Sequence, residues 1–416
     1  MNIVLICMGF RYSDLLRNIR PSEIRQLSKY AASKDIISFS GGMPNPLTFP
    51  IGDMEKIMDD VLEESGDIAL QYGNTGGLDA LKSEIKRLVK ETENINVDEQ
   101  EIIVTSGSQQ GLYELGKILV NPGEPIITEE PTYVGAISAF DANLVDFHSV
   151  DMDEEGMRTD QTEDVVKKLV AEGRSPKFIY VIPTFQNPTG ITMNEDRRKH
   201  ILEIASRYDI PVIEDNPYGE LRFSGRRMPT LKSLDQEDRV IYLGTFSKIM
   251  CPGLRIGYTV APTELISKIN LLKQALDLSS STFSQFVAWQ YLKRDIHKKQ
   301  IPKSIALYRT LKDTMLDALN EYFPEGSSWS KPDGGMFLWA TVDPSINTTD
   351  MLKEALASGV IYVSGNAFSP AKKQWNSMRL NYTFSDEAAI NSGIRKLSEL
   401  LKKKLSYNEP VSSAGK

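Results

Sequence analysis

The stretch Thr245-Phe246-Ser247-Lys248-Ile249-Met250-Cys251-Pro252-Gly253-Leu254-Arg255-Ile256-Gly257 follows an apolar run, Val240 to Leu243, that reads as a strand. It leaves one lysine just past a strand end and an arginine seven residues further on. An amine in that place can form a Schiff base with an aldehyde, while a guanidinium fork holds a phosphate. Thr245, Ser247 and Gly253 are small, so the backbone can approach a ligand closely and hydroxyls can reach phosphate oxygens.

Working outward, five more short runs rich in β-branched residues read as strands: Ile102 to Thr105, Pro125 to Thr128, Leu144 to Val150, Phe178 to Ile182 and Pro211 to Ile213. Amphipathic segments separate most of them. Gly111 to Leu119 is one, and Asn194 to Tyr208, with Glu195 and Asp196 in its first turn, is another. Strands alternating with helices predict an α/β fold with a mostly parallel sheet covered on both faces. After about residue 290 the pattern changes to a helical stretch (Lys299 to Tyr322), a strand pair around Met336 to Val342, and a terminal helix near Ser385, signalled by Ser385-Asp386-Glu387. Three parts are expected: an N-terminal arm (1–37), a large domain (38–290) and a smaller α+β domain (291–416). The polar tail from Tyr407 onward is expected to be disordered.

Composition narrows the function. With 416 residues, 41% hydrophobic and 25% charged, the chain has ordinary soluble composition, and a formal net charge of −8 lacks the basic footprint that nucleic acid requires. Cys7 and Cys251 cannot build a disulfide framework, which fits a cytoplasmic setting, and His148, His200 and His297 show no metal-ligand spacing. Met1 to Phe10 is apolar, but it has no basic leader and is too short to span a bilayer, so no membrane association is expected and it reads as an N-terminal extension. Small molecules are the expected partners.

Four groups stand at the ends of successive predicted strands, where an open α/β sheet places its ligands. The run Phe178 to Ile182 leads to Asn187-Pro188-Thr189-Gly190, Pro211 to Ile213 leads to Asp215-Asn216-Pro217-Tyr218, and Val240 to Leu243 leads to Lys248. Ile102 to Thr105 leads to Ser106-Gly107-Ser108-Gln109, which opens a helix. Aldehyde, phosphate and an electron-accepting pyridine ring are combined in pyridoxal 5'-phosphate. Such a ring withdraws electrons only while its nitrogen is protonated, so a carboxylate must face that nitrogen, and Asp215 is the candidate. Asn187 and Tyr218 suit the ring's phenolate oxygen. The helix start at Gly107, Ser108 and Gln109, the hydroxyl of Thr245 and the fork of Arg255 suit the phosphate. Taken singly, Asp215-Asn216-Pro217 and Asn187 to Gly190 are ordinary turns, Gly107-Ser108 is a cap, and Lys248 is a surface charge. It is their coincidence in chain order that points to a cofactor site.

With these residues in place, the chain from about Pro21 to Leu405 resembles the class I/II aminotransferases of fold type I. Within them it is similar to the branch containing 2-aminoadipate, kynurenine and broad-range aromatic aminotransferases. The supporting stretches are Phe39-Ser40-Gly41-Gly42-Met43-Pro44-Asn45-Pro46, Gln71-Tyr72-Gly73, Ser106 to Gly111 and Pro131-Thr132-Tyr133-Val134-Gly135. The resemblance implies that Tyr133 stacks on the cofactor ring, that Tyr72 reaches the phosphate of a neighbouring subunit in an obligate homodimer, and that Arg379 grips the substrate's α-carboxylate. It also implies that Gly42 lies close to substrate and makes Arg25, in Ser22 to Leu27, the candidate for a distal carboxylate. Arg25 reads equally well as a charge on the outer face of a short amphipathic helix.

The implied reaction is ping-pong transfer of an α-amino group to 2-oxoglutarate, with Lys248 moving the proton between Cα and the cofactor. Two other functions compete. A pyridoxal-phosphate lyase or decarboxylase would share the cofactor-holding residues. A ligand-sensing regulator with an aminotransferase-like domain would need a basic DNA-binding module, for which too few residues precede the match.

Overall fold

A computed structural model describes residues 35–408, together with Glu23, Gln26, Leu27 and Lys29. Fourteen strands occur among them: β1 (Ile37–Ser38), β2 (Ile102–Thr105), β3 (Pro125–Glu130), β4 (Asp146–Asp153), β5 (Gly156–Met157), β6 (Ile179–Val181), β7 (Val212–Asp215), β8 (Val240–Thr245), β9 (Gly257–Val260), β10 (Ser328–Trp329), β11 (Phe337–Thr341), β12 (Val360–Ile361), β13 (Val363–Ser364) and β14 (Ser377–Asn381). The main helices are α1 (Ile51–Ala69), α2 (Asp79–Glu93), α3 (Ser108–Leu119), α4 (Val134–Asp141), α5 (Thr159–Ala171), α6 (Glu195–Tyr208), α7 (Thr263–Leu276), α8 (Thr282–Lys293), α9 (Ile296–Tyr322), α10 (Thr348–Ala357) and α11 (Glu387–Asn408).

Eight strands form one sheet in the order β2-β9-β8-β7-β6-β3-β4-β5. The block β8-β7-β6-β3-β4 is parallel throughout, and only β9 and β5 run against their neighbours. Alternation along the strands fills cores on both faces: Ile102 and Val104 join one apolar cluster and Ile103 another. The predicted mostly parallel, two-faced sheet is therefore present.

β9 was not expected. Its run Gly257-Tyr258-Thr259-Val260 is short and directly follows the lysine-to-arginine stretch, so it carries little periodic signal of its own. It matters, because it closes the sheet between β2 and β8 and so brings the Gly107 turn beside Arg255. The strand pair expected around Met336 to Val342 is instead one strand, β11, inside a four-stranded antiparallel sheet ordered β10-β11-β14-β13. The terminal helix is capped by Asp386, whose carboxylate accepts from the Ala389 N–H at 2.8 Å, rather than by Ser385. The tail beyond residue 408 lies outside the described residues.

The chain enters along the smaller sheet. β1 pairs in parallel with β12, and the Phe39 carbonyl then accepts from Asn381 N at 2.9 Å, so residues 37–42 run past the end of β14. Glu23 adds a contact upstream, its carboxylate accepting from the Ser364 N–H at 2.8 Å and the Ser364 hydroxyl at 2.9 Å. One apolar cluster joins Phe39, Phe185, Tyr218 and Leu221 to Phe337, Leu380 and helices α9 and α11. Among the described residues, no helix is long and apolar enough to cross a membrane, and no group of three or more His, Cys, Asp or Glu could hold a metal ion.

In β14, Met378 and Leu380 point into that cluster while Arg379 points to the opposite face, as period-two alternation demands. Leu380→Ala should therefore lower the unfolding free energy by about 2 to 5 kcal/mol, read from denaturant unfolding followed by circular dichroism. A loss below about 1 kcal/mol would mean that this core collapses without cost and does not hold β14 in place.

Candidate active site

A cavity of about 500 Å³ opens at the carboxyl ends of the parallel strands. Lys248, Asp215, Asn187, Tyr218, Thr245 and Arg255 all line it, as do Ser108, Gln109, Tyr133, Gly42 and Arg379. Gly107 stands directly behind Arg255. A larger cleft of about 730 Å³ beside β4, near His148 and Lys373, holds none of the predicted residues.

Asp215 ends β7 and is 2% exposed. One carboxylate oxygen accepts from the Tyr180 hydroxyl at 2.9 Å, and the other is buried without a partner. Burial pushes its pKa up to about 7, against the lowering effect of the Tyr180 bond. A cation facing the bare oxygen would return Asp215 to its charged form.

Asn187 bridges the cavity's two sides. Its amide nitrogen donates to the Tyr218 hydroxyl at 3.2 Å, and its oxygen accepts from Arg379 Nη1 at 3.0 Å. Tyr218 thus keeps its own proton to donate, and burial holds its pKa well above the ordinary phenol value.

Lys248 Nζ donates to the Gly42 carbonyl at 2.8 Å. Loss of hydration, followed by the nearby charges of Arg379 and Arg255, brings its pKa down to about 8. A Cβ at Gly42 would lie 3.6 Å from Phe337, an ordinary contact. What Gly42 supplies is its carbonyl.

Arg379 is 1% exposed and lies over the rings of Phe337 and Phe368, at 4.1 and 4.9 Å to the centroids. Nη2 donates to the Ser40 carbonyl at 2.7 Å, while Nε is buried without a partner. Burial lowers its pKa to about 10, so it remains a cation at neutral pH.

At the opposite end, Arg255 adopts φ 56° and Gly107 φ 82°. A Cβ on Gly107 would come within 2.5 Å of Arg255 Nη2, so only glycine lets that guanidinium lie over the turn. Gly257 plays a matching part from β9, where a Cβ would meet the Ser108 nitrogen at 2.6 Å. Between them the amino terminus of α3, with its unpaired N–H groups and positive dipole end, is set next to a guanidinium. Thr245 and Ser247 add hydroxyls 3.1 Å apart. Tyr133 precedes α4, with its hydroxyl 3.4 Å from Gln109 Oε1, and Gln109 in turn donates to the Gly135 carbonyl at 2.7 Å.

One predicted residue stands apart from this cavity. Tyr72, just past α1, is 83% exposed. Arg25 lies outside the described residues. Residues the sequence reading missed include Tyr180, which orients Asp215, and Ser40, Phe337 and Phe368, which set Arg379. Only Tyr180 left a signal, a polar-tipped ring inside an otherwise apolar strand.

These groups fit pyridoxal phosphate at three points: a primary amine for its aldehyde, a buried bare carboxylate oxygen for its ring nitrogen, and a guanidinium beside a helix start for its phosphate. Known proteins agree. The chain matches the family "Aminotransferase class I and II" over residues 35–397. It is 45% identical to aromatic-amino-acid aminotransferase 1 of Thermococcus litoralis, over 95% of this chain and 94% of that one. It superposes on the Pyrococcus horikoshii kynurenine aminotransferase, solved with PMP, with a TM-score of 0.91 at 44% identity, covering 95% of this chain and 97% of that one. The α-aminoadipate aminotransferase of Thermus thermophilus, solved with N-(5'-phosphopyridoxyl)-L-leucine, gives a TM-score of 0.88 at 34% identity over 95% and 98% of the two chains. The chain is therefore a pyridoxal-phosphate-dependent enzyme and belongs to the class I and II aminotransferases.

Proposed function

We propose that this aminotransferase takes the α-amino group from aromatic amino acids and 2-aminoadipate and passes it to 2-oxoglutarate in a ping-pong cycle. The observation that carries this reading is Arg379, a buried cation aimed into the same cavity as the Lys248 amine, with one N–H left unpaired. The names of the relatives, which act on aromatic amino acids, kynurenine and α-aminoadipate, support the substrate range. Arg25 remains the candidate for a distal carboxylate.

When bound, pyridoxal phosphate supplies an aldehyde that exchanges amines and a ring that takes up the electron pair left at Cα. Asp215 holds the proton on the ring nitrogen. Tyr218, with Asn187 behind it, donates to the phenolic oxygen, and Tyr133 covers the ring. Gly107, Ser108, Gln109, Thr245 and Arg255 hold the phosphate. Arg379 would bind the α-carboxylate and so orient the substrate's Cα in the cavity. Lys248 would take the proton from the substrate's Cα and return it.

We read the working unit as a homodimer in the cytoplasm. Five large apolar side chains at the two ends of α1, namely Leu47, Ile51, Ile68, Leu70 and Tyr72, stand exposed, which suits a face covered by a second copy. Tyr72 would there reach the phosphate of the other subunit.

Three outcomes are expected. Without an acceptor, the enzyme should release about one equivalent of 2-oxo acid per chain, and added 2-oxoglutarate should give continuous turnover with matching glutamate. Release of ammonia or carbon dioxide would instead support a lyase or decarboxylase. Lys248→Ala should slow that single turnover by about a thousandfold or more, and a variant with normal rate would remove Lys248 from the mechanism. Arg379→Lys should cut kcat/KM by about 10- to 100-fold for every substrate side chain alike, since it acts on the shared carboxylate; a loss confined to dicarboxylic substrates would place it at the side chain instead.

The fourth concerns pH. A lysine held near 8 is an inert ammonium below that value and a nucleophile above it. Acetylation of Lys248 in the cofactor-free protein, followed by mass spectrometry, should rise with a midpoint near 8, about two pH units below surface lysines. A midpoint above 10 would show that the cavity does not strip water from the amine.

A further inference from the structure

Ser106 is the residue before the Gly107 turn, and all three of its polar groups are committed. Its N–H donates to Gln110 Oε1 at 2.6 Å, its hydroxyl donates to Asp277 Oδ2 at 3.0 Å and lies 3.1 Å from Ser280 Oγ, and its carbonyl accepts from Arg255 Nη2 at 3.2 Å. The three partners on the side away from the cavity converge on one further group. Lys273 Nζ, in α7, donates to Gln110 Oε1 at 2.9 Å, to both Asp277 oxygens at 2.9 and 3.0 Å, and to Ser280 Oγ at 3.1 Å. Lys273 is completely buried. The orientation of the Gln110 amide follows from its surroundings, because two donors face its oxygen while its nitrogen donates to Asp277 Oδ2 at 2.8 Å.

We propose that Lys273 is a positioning residue for the phosphate end of the active site, holding Ser106, and through it Arg255 and the start of α3, in phosphate-binding geometry. The proposal rests on the reading that those groups bind the cofactor's phosphate. Direct attraction of the phosphate is not its means, since the ion pair with Asp277 cancels the charge at a distance. Glu114, the other acid facing this region, is buried without a hydrogen-bond partner, and burial keeps it protonated up to about pH 8. The part Lys273 plays is geometric: a compact ammonium ties together the three groups that hold Ser106. Nothing about Lys273 touches the reacting atoms, and a lysine inside a helix four residues before an aspartate would ordinarily be read as a local ion pair.

Pyridoxal tests this, because it carries the same ring and aldehyde with a hydroxyl in place of the phosphate. Apoenzyme would be titrated with pyridoxal phosphate and with pyridoxal, followed by tryptophan fluorescence, in wild type, Lys273→Met, Ser106→Ala and Arg255→Leu. Lys273→Met and Ser106→Ala should each weaken pyridoxal phosphate binding about tenfold and pyridoxal binding less than about twofold. Equal weakening for both ligands, or unchanged affinity for pyridoxal phosphate, would overturn the proposal. If near-ultraviolet circular dichroism shows Lys273→Met unfolded, Ser106→Ala decides by the same criteria, as it removes only the hydroxyl link. Arg255→Leu separates the two levels. Should it also fail to distinguish the ligands, the phosphate assignment itself falls; should it distinguish them while Lys273→Met and Ser106→Ala do not, only the role of Lys273 falls.

Discussion

The chemistry of this site depends on one short piece of backbone. The Ser40 carbonyl takes Arg379 Nη2 and the Gly42 carbonyl takes Lys248 Nζ, so two residues apart in sequence the same stretch of chain holds both a buried guanidinium and the cavity's amine. Arg379 belongs to the smaller sheet and Lys248 follows the larger one. Their relation would otherwise be set by the packing of two sheets against each other, which tolerates small shifts. A common segment ties the amine and the guanidinium to each other directly. That segment is itself held in place by the pairing of β1 with β12 and by the bond from Asn381 to Phe39. Transfer between Cα and a cofactor demands such control, because an error of about an ångström in the placement of a reacting group costs orders of magnitude in rate.

Burial does the second part of the work. Asp215 is pushed up to about 7, Lys248 down to about 8 and Arg379 down to about 10, each mainly because protein replaces water around it. Of the three, only the Lys248 shift favours the form its task uses, since the amine becomes easier to deprotonate. Asp215 would need a facing cation to return it to the charged form, and Arg379, starting from so high a value, stays charged. A site on the surface would have left these values near those of free side chains.

What could be read from the sequence follows from where each residue's partners lie. Lys248, Asp215, Asn187 and Tyr218 were legible because each sits within a few residues of a strand end, and strands announce themselves by apolar runs. Gly107 was legible for the same reason, and its clash-free fit under Arg255 gives that reading a steric basis. Arg379 was not legible on its own. Its neighbours Ser40, Asn187, Phe337 and Phe368 come from four distant parts of the chain, and only resemblance to a family drew attention to it. β9 escaped because four residues beside a motif give no period to count, and the role of Tyr180 escaped because a hydrogen bond to the neighbouring strand leaves no trace in spacing.

The same distinction explains why the reaction is easier to name than its substrate. The cofactor end of the cavity is built from strand ends and one helix start, features that a sheet of this order produces wherever the right residues occupy them. The other end is assembled from the entering segment, the smaller sheet and the turn that carries Phe368, none of which is dictated by the parallel sheet. Changes there alter the side-chain pocket without disturbing Asp215 or Arg255. Relatives on one scaffold can therefore share the amine chemistry while differing in the amino acids they accept. In this chain the two ends are joined through Asn187, which touches both Tyr218 and Arg379.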